Sequence, residues 1–390
     1  MNVDITPLVI GILIFFSSLI SLRIGISVAI IEILLGAVAG NFGIQTEQWM
    51  SYLAGFGGVL LTFLAGTEID TQLLKDRFSA TFQIGALSFL LPFIGVVLFC
   101  RFIARWELDA SLVAGVALST TSLAVVYSVL VETGLSGSAI GKMLMASTFI
   151  TDMGTALTLS VLFAKPSVYT LVFIIASLAI IVLATKYSHI IFGHPKLQNK
   201  VIEPEIKYVF VLLLAFMYFA TLGEGHAVLP AFALGLFMSK YFSSTPQSKV
   251  MRNRLRTVAY AVITPIFFIV GGLKVSFPLI WVSVGLFLIL FALKITMKFF
   301  GVYFLAGRHL PNGRMYTTLL MSTGLTFGTI SSVYGLNAGL IDRAQYSVLV
   351  GVVVASAVIP TFIAQRWFVP IHSEDMVELN GDSKNPTNSL

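Results

Sequence analysis

The chain has 390 residues, 57% hydrophobic and only 11% charged, whereas a soluble protein carries about 25% charged residues. This composition excludes a water-soluble enzyme and identifies a polytopic membrane protein. The formal charge of +6 calls for no nucleic-acid partner, because the basic residues fall in short loops between apolar runs. The single cysteine, Cys100, excludes an intramolecular disulfide and a cysteine-based metal site.

A bilayer span needs about 20 apolar residues. Such runs fall near 5–22, 24–41, 51–68, 79–104, 111–131, 139–164, 168–187, 206–223, 226–241, 256–273, 279–306, 315–336 and 345–367. They predict an all-α membrane domain over residues 1–370, with about 13 transmembrane helices, and a disordered cytoplasmic tail over 371–390. The first run follows Met1-Asn2-Val3-Asp4, which lacks the basic residues of a signal peptide, so it reads as a retained helix. Placing the N-terminus outside puts 17 basic residues in inner loops and the tail and 5 in outer loops, with Lys294 and Lys298 left in the membrane. That asymmetry obeys the positive-inside rule and predicts a cytoplasmic C-terminus.

In chain order, the first acid inside a span is Glu32, which either lines an access path or pairs structurally across a helix interface. Glu68, Asp70 and Glu132 fall at span ends, where water is available. The fifth span is interrupted by Ser119-Thr120-Thr121-Ser122. Such a cluster weakens a helix and offers hydroxyls and freed carbonyls to an alkali ion, or else to a neighbouring helix. Asp152 then sits in the middle of the sixth span. An ionised carboxylate at that depth is costly unless it binds a proton, a cation or a base, and such acids mark ion pathways. Thr151 beside it is either a neutral oxygen ligand or a packing residue. Glu224 and His226 flank a short outer turn, which reads as solvated in preference to a pH sensor.

Lys294 and Lys298 lie one helical turn apart on one face of the eleventh span. Lys298 is the expected counter-charge to Asp152 when no metal ion is bound, with Lys294 a secondary contact or a snorkelling side chain. A second hydroxyl- and glycine-rich interruption, Ser322 to Ser332, falls in the twelfth span. Two interrupted spans, each beside a span with a central charge, point to two related halves with a site where they meet.

These stretches resemble the second family of monovalent cation:proton antiporters, which includes NapA-type sodium/proton antiporters and Kef-type potassium efflux systems. The resemblance is carried by Glu32 to Gly40, by Leu60 to Asp70 (similar to the family's LLLFLAGLEID), by Ala117 to Ser122 (ALSxTS), by Pro230 to Leu236 and by Thr264 to Leu273 (PxFFxxxGL). It implies an NhaA-like fold of inverted repeats with two crossed broken helices. A dimer side would be formed by about 1–75 and 206–273, a core side by about 79–164 and 279–367, and a linker helix by about 168–187. It further implies a homodimer in a prokaryotic plasma membrane, with no cofactor. Asp152 matches the family's ion-binding aspartate, Thr121 and Ser122 its broken-helix residues, and Lys298 its core lysine. Two departures stand out. Thr151 occupies the place of a second acid found in many electrogenic members, and Thr323-Gly324-Leu325 replaces an RGE pattern in the second break.

Together these features predict exchange of Na+ for H+ by alternating access at Asp152, with Thr120, Thr121, Ser122 and Thr151 as neighbouring ligands. Potassium/proton exchange is the near alternative, and an ion channel or a non-transporting sensor the distant ones. One carboxylate fewer points to one-for-one, electroneutral exchange.

Overall fold

The computed structural model describes residues 5–24, 27–68, 77–162, 167–192, 203–223, 225–243 and 246–370. The tail expected from 371, Asp70 and Glu224 lie outside these residues. All regular elements among the described residues are helical. The chain begins with α1 (Thr6–Ile24), α2 (Val28–Asn41) and α3 (Gln48–Glu68). It continues through α4 (Phe78–Leu98), which ends in a π-helical turn at Phe99–Ile103, to α5 (Leu108–Ser119), α6 (Leu123–Glu132) and α7 (Ala139–Leu162). Next come α8 (Val168–Phe192), α9 (Pro204–Leu222), α10 (Val228–Ser243) and α11 (Pro246–Val258), which passes through a second π-helical turn at Ala259–Ile263 into α12 (Thr264–Leu273). The last helices are α13 (Phe277–Val282), α14 (Val284–His309), α15 (Arg314–Met321), α16 (Thr326–Asn337) and α17 (Arg343–Trp367). Among the described residues, ten helical stretches are long and apolar enough to cross a membrane, and Val28–Asn41 and Val228–Phe242 are apolar but shorter.

Burial follows the solvent expected from the composition. α1 exposes Leu8, Phe15, Phe16 and Leu19, and α8 exposes Tyr169, Ile175 and Leu178. Continuous apolar faces of this kind fit lipid rather than water. The stretch through α5 and α6 is instead 94% buried. Its non-helical middle is therefore enclosed by protein, a setting in which irregular backbone is tolerated at membrane depth.

The helices pack in two groups. In the first, α2 lies against α12, and α3 against α10 and α12, with α1, α8 and α9 alongside. Glycines permit the close approach: a Cβ on Gly36 would strike the Ile269 carbonyl, and one on Gly272 the Ile33 carbonyl. Small residues at such crossings let backbones touch and gain dispersion energy that lipid cannot offer. In the second group α4 is central, packed on α5, α7 and α14, and α15, α16 and α17 complete it. The groups meet chiefly where α3 passes α6 and α17 passes α2.

Two boundaries differ from those expected. The helix entering the tenth span starts at Pro246, because α11 carries a basic polar stretch that still forms regular turns. The second interruption is confined to Ser322–Leu325. Ser331 and Ser332 lie inside α16, where each hydroxyl donates to the carbonyl four residues earlier, Phe327 and Gly328 respectively. A serine that bonds back in this way leaves the helix intact.

Candidate functional site: an aspartate between two broken helices

The two interrupted helices meet at their breaks. After α5 the backbone is extended at Thr120 (φ −65°, ψ 153°) and again at Ser122 (φ −96°, ψ 106°), which caps α6 by accepting from Val125 N at 3.4 Å. Thr121 Oγ1 crosses to the other break and donates to Met321 O, the last residue of α15, at 2.8 Å. Ser122 Oγ lies 3.4 Å from Thr326 Oγ1 at the start of α16. Each break thus presents the carbonyl end of one half-helix and the N–H end of another. These carry partial negative and positive charge respectively.

Charged side chains are distributed to match. Asp152, 2% exposed, comes from α7, and its carboxylate faces the backbone N–H of Leu123 at the N-terminus of α6. Its Oδ1 has no hydrogen-bond partner in the protein. A buried acceptor without a partner is expensive, and here it is the atom free to take a proton or a cation. Lys298 is fully buried and donates to Ser88 Oγ on α4 and to Thr121 Oγ1, both at 2.9 Å. It therefore reaches Asp152 through space, while its hydrogen bonds go to hydroxyls. Lys294, also fully buried, points at the carbonyl end of α5, with Nζ 3.5 Å from Thr120 O. It occupies room left by the second break, because a Cβ on Gly324 would strike its ammonium and crowd Thr120 Oγ1.

The expected site residues fall into two sets. Asp152, Thr120, Thr121, Ser122, Lys294 and Lys298 are gathered around the crossing. Thr151 lies next to it with its hydroxyl turned towards α4 and the preceding turn, 3.2 Å from Gly85 O and 3.1 Å from Ser147 O. Glu32 is buried in α2, 3.4 Å from Ser17 Oγ of α1, and belongs to the first helix group. Of the residues expected at solvated ends, Glu132 is exposed and also takes hydrogen bonds from a neighbouring helix. Glu132 accepts from Ser27 Oγ, Val28 N and Ser128 Oγ, because the start of α2 abuts the end of α6. His226 packs edge-on against Phe327, ring centroids 5.7 Å apart, so it is not a freely solvated turn residue. Burial pulls its imidazole below the ordinary range. Gly324 and Thr326 belong to the second interruption, whereas Ser88 lies outside every stretch singled out in the sequence; a polar residue in an apolar helix is the weak signal that marks it.

Cavities lie near both ends of α2, whose 14 residues span about 20 Å, and one of them is lined by Leu325 of the second break. Asn41, at one end, donates to Val275 O. There a largely apolar cavity of about 490 Å³ runs between the groups from His226 and Lys274 to Thr326 and Thr329. Lys274 is exposed at the rim of this cavity. At the other end a cavity of about 570 Å³ is lined by Ser18, Ser21, Ser27, Glu132, Thr133 and Gln365.

The family model described as sodium/hydrogen exchanger, transmembrane, matches residues 10–369. A probable Na(+)/H(+) antiporter 3 of Methanocaldococcus jannaschii is 27% identical over 349 residues, covering 86% of this chain and 88% of that protein. A Na(+)/H(+) antiporter of Enterococcus hirae is 26% identical over 380 residues, covering 91% and 95%. The solved structure of the sodium proton antiporter MjNhaP1 from Methanocaldococcus jannaschii at pH 8 superposes with a TM-score of 0.69 at 14% identity, covering 94% of this chain and all of that one. At that identity the likeness speaks for the fold alone. With a family model spanning nearly all of the helical region around Asp152, the chain belongs to the sodium/hydrogen exchanger family.

Proposed function

We propose that the protein is a secondary transporter that exchanges Na+ for H+ by alternating access, with Asp152 as the shared binding group. The observation that carries this reading is the buried Asp152 carboxylate, whose Oδ1 is unpartnered beside a hydroxyl-lined crossing of two broken helices. A proton neutralises that carboxylate. A sodium ion does the same while drawing on neutral oxygens of Thr120, Thr121 and Ser122, donors suited to a hard cation, and Thr151 joins them once its hydroxyl turns from Gly85 O. Lys298, held by Ser88 and Thr121, supplies the counter-charge while the site waits for an ion. Lys294 balances the carbonyl end of α5.

Alternation then moves the second helix group, which bears the site, past the first, which would hold a homodimer together. The basic-residue asymmetry favours an outer N-terminus, and the archaeal and bacterial relatives favour a prokaryotic plasma membrane. On that orientation the cavity at Lys274 opens outward and the one at Glu132 opens to the cytoplasm. A pH difference of one unit supplies about 1.36 kcal/mol per proton exchanged. One acid at the site supports one-for-one stoichiometry, for which membrane voltage adds nothing.

Reconstitution into proteoliposomes with a trapped pH dye tests this. Sodium pulses should move protons in the wild type and should move none in Asp152→Asn. Lithium and potassium pulses in the same vesicles define ion choice, and transport driven by voltage alone would rule out the one-for-one ratio. Sodium flux without proton movement, or equal exchange in Asp152→Asn, would overturn the reading.

A further inference from the structure

The start of α2 is held by the opposite helix group. Glu132, in the last turn of α6, accepts from Ser27 Oγ at 2.9 Å and from Val28 N at 3.1 Å. Gln365 of α17 accepts from Ser27 N at 3.0 Å. The first N–H groups of any helix have no partner within it, and the Ser27 side chain makes no cap bond of its own. The second group therefore supplies the acceptors that α2 lacks. One turn back on α6, Ser128 also donates to Glu132, at 3.2 Å. Glu32 of α2 lies within electrostatic reach of the same carboxylate.

A reciprocal fastening lies on the same half-helix. Arg256, in the last turn of α11, donates from Nε to Tyr127 Oη at 3.0 Å and from Nη2 to Ser136 Oγ at 3.2 Å. Here the first group reaches into the second. At the far end of α2 the groups face one another across the apolar cavity, joined by the His226–Phe327 ring contact. The interface is thus clasped by polar bonds at one end and left open at the other.

We propose that Glu132, with Gln365, is a gating residue of the exchange reaction. Its carboxylate fastens α2 to α6 and closes the path from that end to Asp152, and its release opens the path. Three properties suit it to this task. Charge-assisted hydrogen bonds are stronger than neutral ones, so the carboxylate makes a firm closure. Its partners are a helix N-terminus and hydroxyls, all of which water satisfies equally well once they part. The adjoining cavity, lined by Ser18, Ser21 and Thr133, delivers that water. The inference rests on the antiport reading for its meaning, but its geometry is tested separately.

Thiol labelling reads the gate without transport. Cys100 is replaced by Ala, and Ala124→Cys places a thiol one turn beyond Ser128 on the same face of α6, at a position now 2% exposed. A membrane-impermeant maleimide applied from the Glu132 end should react slowly in this parent and about tenfold faster when Glu132→Ala is added, the increase tracking the fraction of open molecules. Ser27→Ala, which leaves the carboxylate in place, should raise the rate by a smaller factor. The double variant should react no faster than Glu132→Ala alone, because both changes undo one clasp. Should Glu132→Ala fail to fold, Ser27→Ala and Glu132→Gln carry the same test. Equal labelling rates in the folded variants and the parent would overturn the gate. Absence of sodium/proton exchange in wild-type vesicles would instead sink the antiport reading and leave the labelling result standing.

Discussion

The two broken helices cross at one point and do different work there. The first break, Thr120 to Ser122, is all hydroxyl and hands them out: Thr121 serves Lys298 and Met321 O, Ser122 caps α6 and approaches Thr326, and the α6 N-terminus faces Asp152. The second break, Ser322 to Leu325, turns its hydroxyls inward. Ser322 donates to Thr318 O and Thr323 to Leu320 O. What it gives the site is a carbonyl, at Met321, and the vacancy of Gly324 for Lys294. Similar backbone geometry therefore does not entail similar residues. One half provides ligands and the other provides space and a negative helix end.

Substitutions at the crossing sharpen this contrast. The largest effect is expected from Lys298→Met, which removes the ammonium held by Ser88 and Thr121. Breaking a buried, bonded charge network costs about 3–5 kcal/mol, so thermal unfolding should shift well below wild type and exchange should fall beneath detection. Thr121→Val keeps the shape and deletes two hydrogen bonds. Unsatisfied buried groups cost about 1–3 kcal/mol, which predicts a loss of exchange rate of at least tenfold in dye-loaded vesicles. Gly324→Ala should follow, slowing exchange several-fold, because Lys294 must leave the Thr120 carbonyl to make room. A Gly324→Ala variant as slow as Thr121→Val would mean that the second break provides more than space.

The smallest effect concerns pH. His226 titrates below its ordinary value because it is buried, so its neutral form is the one compatible with the Phe327 contact. Contact stability is then complete above about pH 6.5 and declines as the pH falls below that value, since protonation favours the ring in water. Lys274 and Tyr334 line the same cavity, and the exposed Lys274 ammonium opposes a second positive charge there. His226→Gln should flatten this acid limb of the outer-side pH profile by a few-fold and leave the alkaline limb alone. Stopped-flow exchange with pH varied only on the Lys274 side measures it.

Much of this arrangement was legible in the sequence where chemistry conflicts with surroundings. Asp152, Lys294 and Lys298 stand out because each is a charge in an apolar run, and Ser119 to Ser122 because four consecutive hydroxyl residues interrupt another. The resemblance then tied them to one fold. What sequence could not supply was pairing across the fold. Ser88 is one serine among many in membrane helices, and only the structure brings it within 2.9 Å of Lys298. Glu132 reads as a solvated span end, and it is exposed, but only the structure shows α2 starting beside it and donating to it. His226 reads as a turn residue until Phe327 is seen beneath it. Ser331 and Ser332 extend the second hydroxyl cluster on paper, yet their bonds to α16 carbonyls keep them helical. Hydroxyl content reveals where a helix can break, and the competing intrahelical bond decides where it does.

Competition on a single carboxylate is the claim beneath all of this, and calorimetric titration of the purified protein with sodium across a pH series measures it most directly. Wild type should bind sodium with a dissociation constant that climbs about tenfold per pH unit on the acid side, as linkage to one proton requires, and Asp152→Asn should bind none. Sodium binding by Asp152→Asn with the wild-type affinity and pH dependence would contradict the account.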